Sequence, residues 1–459
     1  MKDLTQGPIG GHIVRMSVPL AIGLILQTLY YLVDLYFVSR LGDAAIAGVS
    51  AAGNVFFIVM ALTQMLGVGT VALVSHAVGR KDQAEANHVF NQSVVLALLC
   101  AIVTLAGGFG LAHWYMGTVG ADAATQAAGI AFLNGFIPGM ALQFALVVMG
   151  SALRGTGIVK PTMVVQAATI LLNIVLAPVM IAGWGTGIAL GPAGAGWAST
   201  IAVAAGTVLL AVYFLKLEHY VGFDASHWKP DVRTWGRMLN IGIPSGGEFA
   251  FMSLYSAVIY WIIRDFGASA QAGFGISGRI MQSIFLPAMA VAFAAAPIAG
   301  QNYGARLPSR VRETFKTSVI ACVGMMVVLA FFVHWKGGDL ISYFSKDPSA
   351  IAFGSQFLSI ISWNFAAMGV VFTCSSLFQA LGNTWPSLFS MATRVVTFVV
   401  PAVWISSHPG FDIVDIWHLS VATVLFQACL SLVLLYFQFR SRLPREDGSA
   451  LRPGAQAAR

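Results

Sequence analysis

The sequence alternates between long apolar runs and short polar segments. Twelve apolar runs can be marked, near residues 13 to 39, 46 to 76, 88 to 115, 124 to 152, 161 to 182, 190 to 215, 238 to 264, 271 to 301, 315 to 336, 349 to 379, 386 to 407 and 412 to 439. Each run is long enough to cross about 30 Å of hydrocarbon as a helix, and far longer than a transmembrane strand. Because backbone in lipid must satisfy its hydrogen bonds internally, the pattern predicts an all-α integral membrane protein with twelve transmembrane helices.

A self-comparison predicts that these helices form two copies of a six-helix unit. A shift of 225 positions without a gap superposes Pro19 on Pro244, Gly42 on Gly267, Gly79 on Gly304, Phe132 on Phe357 and Pro161 on Pro386. One register kept over this length indicates an internal duplication. Because six is an even number, both copies should have the same orientation, related by a pseudo-two-fold axis along the membrane normal.

The longest polar stretch, Leu217 to Arg237, separates the two copies. We therefore expect an N-terminal lobe at residues 1–216, a cytoplasmic linker at 217–236, a C-terminal lobe at 237–440 and a disordered cytoplasmic tail at 441–459.

Basic residues predict the orientation in the membrane. Placing both termini in the cytoplasm assigns 19 of the 25 Lys and Arg residues to that side, as the positive-inside rule requires. The N-terminus has no small-residue cleavage site, so the first span should be retained. We expect a multi-pass protein of the plasma (inner) membrane.

Composition excludes several classes of protein. Hydrophobic residues make up 58% of the chain and charged residues only 9%, against about 25% charged residues in soluble domains. The net charge of +7 comes from cations at the ends of spans, so no nucleic-acid partner is indicated. The four cysteines lack metal-ligand spacing, and neither a Walker motif nor a catalytic array occurs. We expect no enzyme activity, no direct use of ATP and no cofactor.

Ionisable residues inside spans are costly and are therefore functional candidates. Asp34 in the first span shares one helix face with Gln27 and Tyr30, at i, i+3 and i+7. Such a polar stripe should face the interior of the bundle. The alternative is an interfacial carboxylate near Arg40.

Polar residues of two further spans could join Asp34. Asn173 lies in the fifth span, and Ser199 and Thr200 lie in the sixth. Their amide and hydroxyl oxygens suit a proton or a small hard cation rather than a soft metal. A sodium ion held by Asp34 and Asn173 therefore stays open, and no other metal site is indicated.

Glu248 and Arg394 are the other two intramembrane charges. Glu248 follows Ile241 by seven residues, and Arg394 follows Pro386 by eight. Equal depth predicts an ion pair in the C-terminal lobe, acting either as a structural clamp or as a coupling or substrate site.

Five segments resemble the multidrug and toxic compound extrusion (MATE) family of transporters. They are PIAGQNYGAR (297–306), LRGTGIVKPTM (153–163), its repeat partner FQALGNTWPSL (378–388), VDLYFVSRLGDAAIAG in the first span and LLNIVLAP in the fifth. The resemblance implies two six-helix lobes around a central cavity, and export of hydrophobic, often cationic compounds in exchange for protons or sodium.

The resemblance also implies that Asp34 is the coupling aspartate and Tyr30 its neighbour one turn earlier. Pro19 would mark a bend in the first helix, and Asn173 would be the matching amide residue of the fifth helix. The chain departs from the pattern at Ala177, where many members have a second aspartate.

Two functions fit these features: a secondary multidrug antiporter and a flippase for lipids or lipid-linked precursors. A flippase for anionic headgroups should line its cavity with Arg and Lys, yet only Arg394 is assigned to the membrane interior, and the other cations are assigned to the two membrane sides and the helix ends. The antiporter is therefore favoured, with small drug-like or cationic substrates, membrane lipid as its surroundings and a monomeric state.

The coupling ion is a separate question. Ala177 leaves Asp34 as the one charged candidate ligand in the first lobe, which favours a proton over sodium because burial favours the neutral carboxyl.

Overall fold

The computed structural model describes residues 1–408 and 410–443, except for the side chains of residues 30–35 and 43. The predicted tail beyond residue 443 lies outside the described residues. The described residues form fourteen α-helices: α1 Ile9–Val38, α2 Asp43–Gly53, α3 Val55–Gly79, α4 Gln83–Val119, α5 Ala123–Gly155, α6 Lys160–Ala182, α7 Pro192–Lys216, α8 Val232–Ile263, α9 Ala268–Gly304, α10 Pro308–Ser342, α11 Pro348–Ile361, α12 Asn364–Ala380, α13 Trp385–Ser406 and α14 Ile413–Arg442.

The prediction of an all-α protein with twelve membrane spans is confirmed. In the described part of the chain, eleven segments are long and apolar enough to cross a membrane, with α2 and α3 counting as one. The bent pair α11 and α12 makes the twelfth span. The predicted spans 46–76 and 349–379 are each two helices, divided at Asn54 and at Ser362–Trp363, where the second pair bends by 58°.

Each half of the chain has its own apolar core. The core of the first half contains Phe90 and Phe144, and that of the second contains Phe365 and Trp417. The two cores exchange residues at their boundary, because Ile9 belongs to the second core and Ile241 to the first. The molecule thus consists of two lobes, with α1 beginning on the surface of the second lobe.

The connection between the lobes is fixed along α4. Asn91 donates to the Gly222 carbonyl at 2.9 Å, and Gln92 donates to the carbonyls of His227 and Lys229 at 2.6 and 2.7 Å. Because the amide side chains satisfy backbone groups that no regular element pairs, the connection has a defined path. Helix α8 begins at Val232, inside the predicted linker 217–236.

The lobes touch where α3 and α9 end. A Cβ atom added at Gly79 would overlap the carbonyl oxygen of Gln301, and one added at Gly304 would overlap that of His76. Only glycine permits such a close approach of two backbones. Both chain ends of the helical bundle, at Ile9 and Arg442, lie on this side, which we call the terminus side.

Candidate functional site

Helix α1 carries the predicted coupling residues. Its backbone is helical from Ile9 to Val38 and passes through the buried Pro19 without a break. Gln27 is half-buried. The side chains of Tyr30 and Asp34 lie outside the described residues, so their predicted roles stay predictions.

Asn173 and Ser199 are both buried in the first lobe. Asn173 lies on α6 with a fully covered side chain, and Ser199 on α7 is 1% exposed. Ala177, one turn after Asn173, is also buried and brings no carboxylate. These two helices pack against each other and α6 packs against α1, so the amide and the hydroxyl lie on helices next to the one that bears Asp34.

Thr200 has a different environment from the one the sequence suggests. Its hydroxyl donates to the Gly135 carbonyl at 2.6 Å and accepts from the Gly139 amide at 2.9 Å. These groups lie four residues apart in α5, on either side of Pro138, so the hydroxyl is inserted between a donor and an acceptor of the helical ladder. Such an insertion satisfies the backbone at a proline. The geometry therefore favours a structural role for Thr200.

The predicted ion pair between Glu248 and Arg394 is wrong. No contact of 4.0 Å or less joins their charged atoms among the described ion pairs. Glu248 lies near the start of α13 instead, since its neighbour Gly247 borders Leu388. At a rise of 1.5 Å per residue, Arg394 is about 10 Å further along α13.

The prediction of equal depth, which counted residues from the start of each helix, failed because α8 and α13 are offset along their axes. The Thr384 hydroxyl donates to the Ile241 carbonyl, so these two residues are level. From there α8 advances six residues to Gly247, while α13 advances only four residues to Leu388, which borders Gly247. Pro244 lies within this stretch of α8, where its ring and missing N–H disturb a straight ladder.

Arg394 instead belongs to a polar cluster between α8, α13 and α14. Its guanidinium carbon lies 4.7 Å from the centre of the Tyr255 ring, and its Nη1 donates weakly to Gln427 Oε1 at 3.5 Å. Tyr255 in turn shares a 2.7 Å hydrogen bond with Ser420. An aromatic face and an amide oxygen stabilise the cation without a carboxylate. Sequence reasoning missed Tyr255 and Gln427 because it considered only charges within spans.

Glu248 is thus a carboxyl group without a cation at its side. One of its oxygens, Oε1, is buried and has no hydrogen-bond partner in the structure. A buried carboxylate oxygen without a partner is unusual unless the group exchanges a proton or an ion. Of the two roles left open by the sequence, the structure does not support the clamp with Arg394, and the role in coupling or substrate binding stays a prediction.

The described side chains contain no group of three or more His, Cys, Asp or Glu residues that could hold a metal ion. Asp34 is not among those side chains, so the sodium hypothesis for Asp34 and Asn173 is untouched by this observation.

Comparison with known proteins finds relatives that match nearly the whole chain. The chain is similar to the probable multidrug resistance protein YoeA of Bacillus subtilis (strain 168), with 26% identity over 92% of both chains. It is also similar to the multidrug export protein MepA of Staphylococcus aureus (strain MSSA476), with 24% identity over 96% of this chain and 98% of that one.

The same holds for the fold. A solved outward-facing structure of a multidrug resistance MATE family transporter matches with a TM-score of 0.89 and 22% identity, over 95% of this chain and 97% of that one. The family model described as MatE matches twice, at residues 19–179 and 244–405. The two matches begin at Pro19 and Pro244, a pair that the 225-residue shift superposes. The chain is therefore a twelve-span membrane protein of two lobes that belongs to the MatE family, the multidrug and toxic compound extrusion transporters.

Proposed function

We propose that this protein is a secondary antiporter that exports hydrophobic, often cationic compounds in exchange for an inward-moving ion. The observation that carries the proposal is the alignment, over more than nine-tenths of the chain, with relatives named for multidrug resistance and multidrug export. Two lobes that meet closely on one side fit alternating access, in which the lobes rock about a central site.

The charges inside the membrane support a cationic or neutral substrate. Glu248 has no ionic partner in the structure, whereas Arg394 is already engaged by Tyr255 and Gln427. A cation entering between the lobes therefore meets a carboxyl group that is free to interact, and an anion meets a guanidinium that is not. This arrangement favours a drug exporter over a flippase for anionic headgroups.

We propose a proton as the coupling ion. Asp34 on α1, with Asn173 and Ser199 on the neighbouring helices, supplies one carboxyl group, an amide and a hydroxyl. Sodium takes several oxygen ligands, and the buried Ala177 provides none. A single carboxyl group is enough to bind and release a proton.

The proposed orientation places the terminus side in the cytoplasm of a bacterial cell, with the protein in the plasma membrane. The count of basic residues supports this orientation. The proton would then enter from the outer side and leave on the terminus side, opposite to the substrate.

The test is transport by purified protein in liposomes, with a fluorescent lipophilic cation such as ethidium as the substrate. We expect an imposed proton gradient to drive ethidium transport, an uncoupler to stop it, and Asp34→Asn to abolish it while expression and folding stay normal. Empty liposomes are the control. Robust transport driven by sodium alone, with the proton gradient collapsed, would contradict the proton assignment. Movement of a labelled anionic lipid without any ethidium transport would contradict the drug-export function itself.

A further inference from the structure

Two buried hydrogen bonds cross between the lobes at the point where α3 and α9 end. His76 at the end of α3 lies 2.6 Å from the carbonyl oxygen of Ala380 in the second lobe through its Nε2. Because a carbonyl only accepts, Nε2 is the donor. Gln301 at the end of α9 donates through Nε2 to the carbonyl oxygen of Gly155 in the first lobe, at 2.9 Å.

These two bonds are equivalent under the internal repeat. The 225-residue shift that superposes Gly79 on Gly304 also superposes His76 on Gln301 and Gly155 on Ala380. Each lobe therefore donates one side-chain N–H to the corresponding carbonyl of the other lobe. Both donors are buried, with Gln301 fully covered and His76 8% exposed.

Close backbone contact surrounds the two bonds. Gly79 faces the Gln301 carbonyl and Gly304 faces the His76 carbonyl, in each case with no room for a Cβ atom. Without intervening side chains, the lobes cannot rock apart on this side and keep the hydrogen bonds. The two bonds must break together if the terminus side opens.

Gln301 also holds the N-terminal segment in place. Its Oε1 accepts from the Leu4 amide at 2.9 Å, and Leu4 itself is fully buried. The neighbouring Asn302 donates to the Leu4 carbonyl at 3.2 Å, and Lys2 donates from its backbone to Thr156 of the first lobe at 2.8 Å. The segment before α1 thus spans both lobes and covers the Gln301 side of the contact.

We propose that His76 and Gln301 form a reciprocal latch that closes the terminus side and that opens once in each transport cycle. The proposal rests on alternating access, as stated under the proposed function. It gives a positioning role to the segments PIAGQNYGAR, LRGTGIVKPTM and FQALGNTWPSL, which supply Gln301 and the two accepting carbonyls. Neither residue needs to touch the substrate for this role.

The latch can be tested by measuring the distance between the lobes, without any transport assay. Spin labels at Ala84→Cys and Ser309→Cys, both exposed on the terminus side, report that distance by pulsed electron paramagnetic resonance. The four native cysteines are replaced beforehand. The protein is used at full length in lipid nanodiscs, as wild type and as the variants His76→Ala, Gln301→Ala and His76→Gln.

We expect His76→Ala and Gln301→Ala each to raise the ratio of long to short distances by about fivefold, the factor that corresponds to one buried hydrogen bond. His76→Gln is the matched control, because it places the donor of the repeat counterpart in the same position, and it should keep the wild-type distribution. Gly79→Ala should also shift the population, since the added Cβ pushes against Gln301.

The two alanine variants probe the latch from opposite lobes, so one folded variant is enough for the test. Unchanged distance distributions in the folded alanine variants would overturn the latch even if transport is normal. A shift in these variants together with a wild-type protein that transports nothing would retain the latch and contradict only the proposed function.

Discussion

At the scale of single residues, the neighbouring helix determines the role of a polar group inside the membrane. Thr200 and Asn173 are equally good candidate ligands in the sequence, since both are polar residues in apolar helices. The structure adds that Thr200 engages its hydroxyl with the backbone of α5 at Pro138. The sequence contains Pro138, but nothing in it says which neighbouring helix supplies the missing partner.

The position of Arg394 leads to a prediction about energetic coupling. Double-mutant cycles on thermal stability should find Arg394→Met coupled to Tyr255→Leu by about 0.5 to 1 kcal/mol, as expected of a partly buried cation–π contact. The matched cycle of Arg394→Met with Glu248→Gln should be additive within about 0.5 kcal/mol, because the two groups do not touch. Strong coupling in the second cycle would mean that the ion pair forms after all.

At the scale of elements, aspartate N-caps fix where helices begin at the membrane surface. The aspartates before five helices accept hydrogen bonds from backbone amides of the first turn: Asp82, Asp122, Asp231, Asp347 and Asp412. Caps of this kind satisfy N–H groups that have no partner within the helix. Asp231 also accepts a hydrogen bond from Nε2 of His88 on α4 at 3.1 Å, so it fixes the start of α8 to α4.

This cap predicts how stability depends on pH. The hydrogen bond from the Thr234 hydroxyl, followed by that from His88, holds the pKa of Asp231 well below its ordinary value. The ionised carboxylate therefore stabilises the fold above the ordinary Asp pKa of about 4, and this contribution is lost as the pH falls below that value. The difference in Tm between wild type and Asp231→Ala should be present at neutral pH and should shrink in acid.

The control for this measurement is Asp265→Ala, which removes an exposed carboxylate paired with the adjacent Arg264 at 3.3 Å. We expect a smaller change in Tm at neutral pH for this variant, since exposed ion pairs contribute little. Equal effects of the two substitutions at neutral pH would show that the Asp231 cap does not anchor α8.

At the scale of the whole molecule, the architecture could be predicted because it follows from the spacing of apolar runs and from the internal repeat. Twelve apolar runs and a register of 225 residues need no knowledge of side-chain contacts. The breaks at Asn54 and at Ser362–Trp363 could not be predicted, since both fall within continuous apolar runs. The latch could not be predicted either, because the 225-residue shift aligns His76 with Gln301 but does not show that each donates to a carbonyl of the other lobe.

For the predicted site, residue patterns could be derived from the sequence, but contacts between helices could not. The helix-face argument could select Gln27, Tyr30 and Asp34 as one stripe, and the family resemblance added Asn173. Depth counting failed for Glu248 and Arg394, since it assumes straight parallel helices and α8 contains Pro244. Sequence alone ranks residues by type and register, and packing decides which of them meet.

The proposed antiport requires that substrate and proton compete, so that substrate binding drives the proton from Asp34. A ligand can shift such an equilibrium only by its differential affinity for the two states. The most direct measurement is proton release in weakly buffered solution when ethidium binds to the purified protein. We predict that binding to the wild-type protein releases protons and that Asp34→Asn binds ethidium without this release. Ethidium binding to the wild type with no proton release at any pH, or undiminished release from Asp34→Asn, would contradict the account.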